Sequence, residues 1–284
     1  MKLIKLTDYI ALFLKQHGFK DVFGVTGGAS VHFFDSFKKK NMNLYFNHHE
    51  QASAFCLNSY FKASKKPAIC AFTTGPGSTN TITGLAACWQ DSIPGIFIGG
   101  QARSNQLSIR TGTRQVGTQE INSLNIVKSI TKYSAILDNP KKIKKILQEA
   151  IYFSKKGRGG PSWIEIPLDF QLKYIDISKL KDSPIMNKDK KKKYDLSTAK
   201  IKFSKLLQKA KNPLVIAGNG IISSDSEEKF KKFINYYNLP YVCTWLGTNL
   251  ELISKDLYCG RLGMAGQRGS NIIVDKSDLL IVLG

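Results

Sequence analysis

Short, almost unbroken apolar runs alternate along this chain with longer segments whose apolar residues recur every three or four positions. The runs fall near 22–25, 44–46, 68–73 and 96–98, and helix-like segments occupy about 30–40, 50–64 and 78–89. A strand that is apolar on both faces must be covered on both, and strands separated by helices run parallel. The pattern therefore predicts an α/β fold built on a doubly wound, mainly parallel sheet. A helix after Pro140 leads to a further strand at 162–166, which Pro167 ends. Near the start, Leu6, Ile10, Phe13 and Leu14 share one helical face, with Thr7 placed to cap it and Gly18 to end it.

The pattern breaks once. Residues 181–195, KDSPIMNKDKKKKYD, are polar, lysine-rich and without periodic apolar positions, which predicts a linker. One domain is thus expected over 1–180 and a second, also doubly wound, over 196–284. In the second, helices near 196–210, 226–237 and 267–276 alternate with strands at 214–217, 241–244 and 279–283. Three strands and three helices, stopping at a strand end, look like the first part of a domain. The chain is accordingly expected to be a fragment.

Composition removes several function classes. No apolar run approaches the roughly 18 residues of a membrane span, and the run at 10–14 is too short for a signal peptide. Five cysteines, Cys56, Cys70, Cys88, Cys243 and Cys259, form no CxxC pair, and free thiols suit a reducing compartment, so the expected location is cytoplasmic. A net charge of +21 raises nucleic acid as a partner, but the cations are 36 lysines and only 6 arginines, without interleaved aromatics. A solvated lysine surface is the expected reading, with neither nucleic acid nor membrane as partner.

Ligands of open α/β sheets lie outside the carboxyl ends of the strands. Four stretches obey that rule together: Thr26-Gly27-Gly28-Ala29, His48-His49-Glu50, Thr74-Gly75-Pro76-Gly77 and Gly99-Gly100-Gln101. Each glycine is either a packing turn or a place where backbone approaches a ligand. Glu50 is either a first-turn acid that favours its helix or a proton-exchanging group that a cofactor covers. His48 and His49 point to opposite sides of an extended chain, so an orienting or core role is expected and no metal site. GNG at 218–220 lacks the full G-x-G-x-x-G spacing and reads equally as a strand-to-helix turn.

Taken in order, GVTGGAS, HHEQASAF, TTGPGSTNTITGLAACWQDSIP, GGQ, GTQEI, SITKY and GRGGPSWIEIPLD resemble the pyrimidine-binding domain of thiamine-diphosphate enzymes, acetolactate (acetohydroxyacid) synthase above all. NPLVIAGNGI, TWLG, GMAGQRGSN and SDLLIVLG resemble the start of that family's central domain. The resemblance implies that Glu50 is the catalytic glutamate, hydrogen-bonded to N1′ of the aminopyrimidine. It implies that Thr74, Gly75, Pro76, Gly77 and Asn80 lie against the pyrimidine ring, that Gly27 and Gly28 line the reacting carbon, and that Gln119 is close to the substrate. It admits FAD, at Arg158, Gly218, Gly220, Thr244, Gly247 and Gly263, without requiring it, since related enzymes lack the flavin. Mg²⁺ and the cofactor's diphosphate are implied to belong to a third domain after residue 284, and two subunits to share each site, as a homodimer or homotetramer.

The implied reaction decarboxylates pyruvate and passes the two-carbon unit to a second 2-keto acid, as in branched-chain amino acid synthesis. The sequence departs from the family where Thr118 replaces the phenylalanine before Gln119. The segment 102–117 is also longer and carries Arg103, Arg110 and Arg114. Three guanidinium groups suit phosphate, so a keto-sugar nucleotide or another aldehyde is the alternative acceptor. A non-catalytic module that only pairs with a partner is the alternative from another class.

Overall fold

The computed structural model describes residues 3–187 and 195–284. Residues 188–194, the lysine-rich centre of the expected linker, lie outside the described residues. The chain divides into two compact units, Met1–Asp189 and Lys190–Gly284.

The first unit opens with β1 (Leu3–Lys5), α1 (Leu6–Gln16), β2 (Asp21–Gly24), α2 (Val31–Lys39), β3 (Asn43–Phe46), α3 (Glu50–Ser64) and β4 (Ile69–Phe72). It continues through α4 (Pro76–Asn80), α5 (Ile82–Gln90), β5 (Gly95–Gln101), α6 (Ser108–Thr111), α7 (Ser123–Val127) and β6 (Tyr133–Ile136). It closes with α8 (Ile143–Lys155), β7 (Pro161–Pro167), α9 (Leu168–Gln171) and β8 (Tyr174–Asp176). Six strands form one parallel sheet in the order β3-β2-β4-β5-β7-β6. The central strands β4, β5 and β7 are buried along their whole length, which is what their unbroken apolar runs demand. One face carries α1, α2 and α8 on a core that includes Leu6, Ile10, Phe33, Phe37, Leu147 and Ile164. The other carries α3 and α5 on Leu57, Phe72, Leu85, Phe97 and Trp163. This is a doubly wound sheet.

Several local expectations shift. α1 begins at Leu6, because Leu6 N–H bonds Lys173 O and the short antiparallel pair β1–β8 runs straight into the helix. Thr7 is therefore inside the helix and buried, accepting from Ser36 Oγ at 2.8 Å, and does not cap it. Gly18, at φ +92°, does end it. The single helix expected at 78–89 is two helices, α4 and α5, and the first starts at Pro76, whose fixed φ suits a first helical position. β3 is an edge strand with Tyr45 and Phe46 exposed, so it is not covered on both faces.

The first residues of the segment read as a linker are held to α8. Ser183 is buried, its N–H donating to Gln148 Oε1 and its hydroxyl to Glu149 Oε1, both at 2.7 Å. In the second unit α10 (Leu196–Lys209) is capped by Asp195, and β9 (Pro213–Ala217), α11 (Asn219–Ser223), α12 (Glu227–Tyr237) and β10 (Tyr241–Cys243) follow. β11 (Tyr258–Arg261), α13 (Arg268–Lys276) and β12 (Leu279–Leu283) complete it. The sheet is parallel, in the order β11-β10-β9-β12, so it has four strands where three were expected. The unread strand, β11, is YCGR, too short and too polar to announce itself. No helix among the described residues is long and apolar enough to cross a membrane.

Candidate functional site

At the carboxyl edge of the larger sheet, Gly27 and Gly28 follow β2, Glu50 follows β3, residues 74–77 follow β4, and Gln101 ends β5. His49 is extended at φ −151° and its Nδ1 accepts from Gln51 N–H at 3.2 Å, so it caps α3 and sets where that helix starts. Glu50 is then the first helical residue, at the positive end of α3. Its carboxylate is half-buried: Oε2 accepts from Asn80 Nδ2 at 3.0 Å, and Oε1 has no hydrogen-bond partner among the described residues. Oε1 lies 3.4 Å from where a Cβ would stand on Gly77. His48 is exposed, and no group of three or more metal-ligating side chains occurs among the described residues.

Two of the glycines are explained by contacts within the chain. Gly75 sits at φ +63°, and a Cβ on it would overlap the carbonyl oxygen of Gln119, so the turn 74–77 packs directly against Gln119 only because residue 75 has no side chain. Gly27 and Gly77 both face Thr73, whose atoms come within 2.6 Å of a Cβ built on either. Thr73, which the sequence does not single out, also accepts from Ala29 N–H at 3.2 Å and ties the β2 and β4 loops together. Gly28 has open space around it. The structure thus brings Gly27, Glu50, Gly75, Gly77 and Asn80 into one cluster and lays the Gln119 backbone against it, with the Gln119 side chain exposed.

Thr74 is buried, and its hydroxyl donates to Gln101 Oε1 at 2.5 Å. The other end of Gln101 donates to Glu165 Oε2 at 2.9 Å and to the Ile121 carbonyl at 3.2 Å. Glu165, 2% exposed, also accepts at Oε1 from Trp163 Nε1 at 2.8 Å and from the Ser123 hydroxyl. Burial pushes the Glu165 carboxyl above the ordinary range, against the three hydrogen bonds donated to it, with Glu120 adding a smaller push upward. Glu120 is buried as well and accepts from Ser108 N–H at 3.2 Å and Ser108 Oγ at 2.7 Å. Sequence reasoning missed Glu165, since an acid inside WIEIPLD carries no signal beyond its being the wrong residue type for a buried strand.

Arg103, Arg110 and Arg114 are all exposed on the segment that Glu120 anchors, and none has a carboxylate partner among the described residues. Arg158 is exposed on the loop before β7, with Nε donating to Ser92 Oγ at 2.6 Å, far along the strand direction from Glu50. In the second unit Gly218, Thr244 and Gly247 meet at the carboxyl ends of β9 and β10, Thr244 N–H bonding Ala217 O at 3.0 Å. Gly218 and Gly220 give up their side-chain space to Gly284, whose backbone lies against both. Gly263, at φ +111°, is open.

Two family models match the chain. Residues 4–126 match the N-terminal TPP binding domain of thiamine pyrophosphate enzymes, and 202–284 match the central domain of the same enzymes. The acetolactate synthase large subunit of Cyanidium caldarium is 33% identical over 282 residues, 95% of this chain and 46% of that protein. A probable acetolactate synthase large subunit of Methanocaldococcus jannaschii is 30% identical over 99% of the chain and 47% of its own length. The isozyme 1 large subunit of Escherichia coli is 30% identical over 98% and 48%. The chain spans about half the length of the curated relatives it matches.

Proposed function

The chain belongs to the thiamine pyrophosphate enzyme family, and from that premise we propose that it forms the pyrimidine-binding half of a carboligase that decarboxylates pyruvate and passes the two-carbon unit to a second 2-keto acid. The observation that carries the reading is the Glu50 carboxylate, half-buried, held at one oxygen by Asn80 and without a partner at the other among the described residues, beside side-chain-free Gly77. Such an acid fits a flat heteroaromatic ring with a basic nitrogen. The open space at Gly28 fits the reacting end of the same group. Thiamine diphosphate, when bound, supplies the electron sink for losing CO₂ and carrying the two-carbon remainder.

The chain's own work is placement and proton control. Asn80 fixes the carboxylate, the α3 N-terminus sets its field, and Glu50 exchanges a proton with the pyrimidine ring nitrogen. Covering the site would exclude water from it. A second copy of the chain is the proposed cover, since Tyr45 (48%), Phe46 (57%) and Phe55 (40%) are exposed on the strand and helix that bracket Glu50. Phe46→Glu is expected to shift the protein from dimer to monomer in sedimentation, and an unchanged sedimentation profile would remove that interface. Flavin and magnesium are not needed on these residues for the reading to hold.

Glu50→Gln tests the assignment in the holoenzyme containing this chain, supplied with thiamine diphosphate and Mg²⁺. Turnover of pyruvate is expected to drop about 100-fold or more, the range for a lost proton-transfer group. Wild-type turnover would overturn the reading. The exposed arginines at 103, 110 and 114, without a carboxylate partner among the described residues, favour a second acceptor class, an aldehyde or ketone that bears phosphate. Acetolactate as sole product with a nucleotide sugar present would dismiss it.

A further inference from the structure

Glu165 is one of the best-buried charged side chains of the first unit, and nothing in the proposed chemistry uses it. It stands at the carboxyl end of β7, beside β5 and away from Glu50, which follows β3. Its hydrogen bonds nonetheless converge on both walls of the candidate site. The Ala102 N–H can only donate and the Ile121 carbonyl can only accept, so the Gln101 amide turns its oxygen toward Thr74 and Ala102 and its NH₂ toward Ile121 O and Glu165, whose Oε2 accepts. That orientation gives the Thr74 hydroxyl its acceptor and holds the first residue of the turn 74–77. The same two side chains hold the opposite wall, since Gln101 donates to Ile121 O and Ser123 donates to Glu165. Those bonds anchor the segment that lays Gln119 on Gly75.

We infer that Glu165 is a positioning residue, a buried acceptor that, through the orientation of Gln101, fixes the Gly75-Pro76-Gly77 turn and the Gln119 segment against each other. The inference rests on the proposed function for its catalytic consequence and on the hydrogen-bond directions alone for its structural one. A carboxamide at 165 has one accepting oxygen for two donor sites: turned to Gln101 it sets its NH₂ against Trp163 Nε1–H, and turned to Trp163 it sets NH₂ against NH₂ or forces Gln101 to flip, which leaves Thr74 without that oxygen.

The test is amide hydrogen exchange on the full chain, compared between wild type, Glu165→Gln, Ser123→Ala, and the swap Glu165→Gln with Gln101→Glu. Glu165→Gln is expected to speed exchange about tenfold in both 74–77 and 117–123, leaving α1 and α8 protected. The swap restores an acceptor for Thr74 and is expected to return 74–77 toward wild-type exchange, while 117–123 stays fast because Ile121 O loses its donor. Ser123→Ala, the mildest variant, is expected to loosen 117–123 alone. Unchanged exchange in both segments for Glu165→Gln, or uniform loosening that the swap does not relieve, would overturn the inference. In the holoenzyme, Glu165→Gln is expected to lower kcat roughly 10- to 100-fold, as small misplacements do, and the swap to recover part of it. If Glu50→Gln leaves turnover intact, the functional reading falls while the exchange pattern still decides the role of Glu165.

Discussion

Two glutamates stand at the carboxyl ends of strands in the same parallel sheet, and they are held in opposite ways. Glu165 is sealed under the sheet, with one oxygen accepting from Gln101 and the other from Trp163 and Ser123. Glu50 is half-exposed, with one oxygen held by Asn80 and the other without a partner among the described residues. A buried polar group that is fully satisfied contributes to one defined arrangement, whereas an acid meant for chemistry must keep a lone pair free. The difference is the one expected between a residue that shapes the site, as inferred for Glu165, and one that acts in it, as proposed for Glu50.

The contrast is broken most forcefully by exchanging each acid for its amide and reading stability and turnover together. Glu165→Gln is expected to lower the unfolding free energy of the first unit by about 2–3 kcal/mol, the cost of misdirected buried hydrogen bonds. Glu50→Gln is expected to change it by less than about 1 kcal/mol while removing most turnover. Equal stability losses for the two, by denaturant titration, would erase the distinction. A smaller effect comes from Asn80→Ala, which frees the second oxygen of Glu50 and is expected to cost about tenfold in turnover, roughly 1.4 kcal/mol in the barrier, with little change in stability.

The mildest probe is pH, where the two units differ in sign. Asp195, capping α10, is held down to about 2 from an ordinary 3.8 by hydrogen bonds from Ser197 and Thr198. Its contribution is present above the unfolded value and is lost as the pH falls from about 4 toward 2. Amide protection at the start of α10 is expected to fade over that window and not in Asp195→Asn. Glu165 is shifted upward by burial, so its fold-stabilising form is the protonated one. The first unit is expected to lose some stability as the pH rises through and above the ordinary glutamate range, and Glu165→Gln to flatten that slope.

Much of this was legible in the chain. Unbroken apolar runs announced β4, β5 and β7, a helix was expected after β4, though from residue 78 and not from Pro76, and the motif order pointed to Glu50. What was misread was short or depended on distant partners. β6, β11 and the β1–β8 pair are short and each carries a polar residue or a glycine (YSAI, YCGR, LIK and YID), so none reads as an unbroken apolar run. Thr7 was read as a cap because Ser or Thr before an apolar helix usually is one, but pairing with β8 had already started the helix a residue earlier. Contacts that no local pattern announces also join Thr74 to Gln101 and lay Gly284 against Gly218 and Gly220.

Alternation of apolar strands with amphipathic helices is a local property, so the sequence by itself determined the class of fold and the edge of the sheet where a site would form. Which glycine meets Gln119, which acid keeps a free oxygen, and which acid organises the walls depend on contacts between segments far apart in the chain. Those were decided only when the strands came together, because a hydrogen bond's direction is set by the partner that folding brings to it.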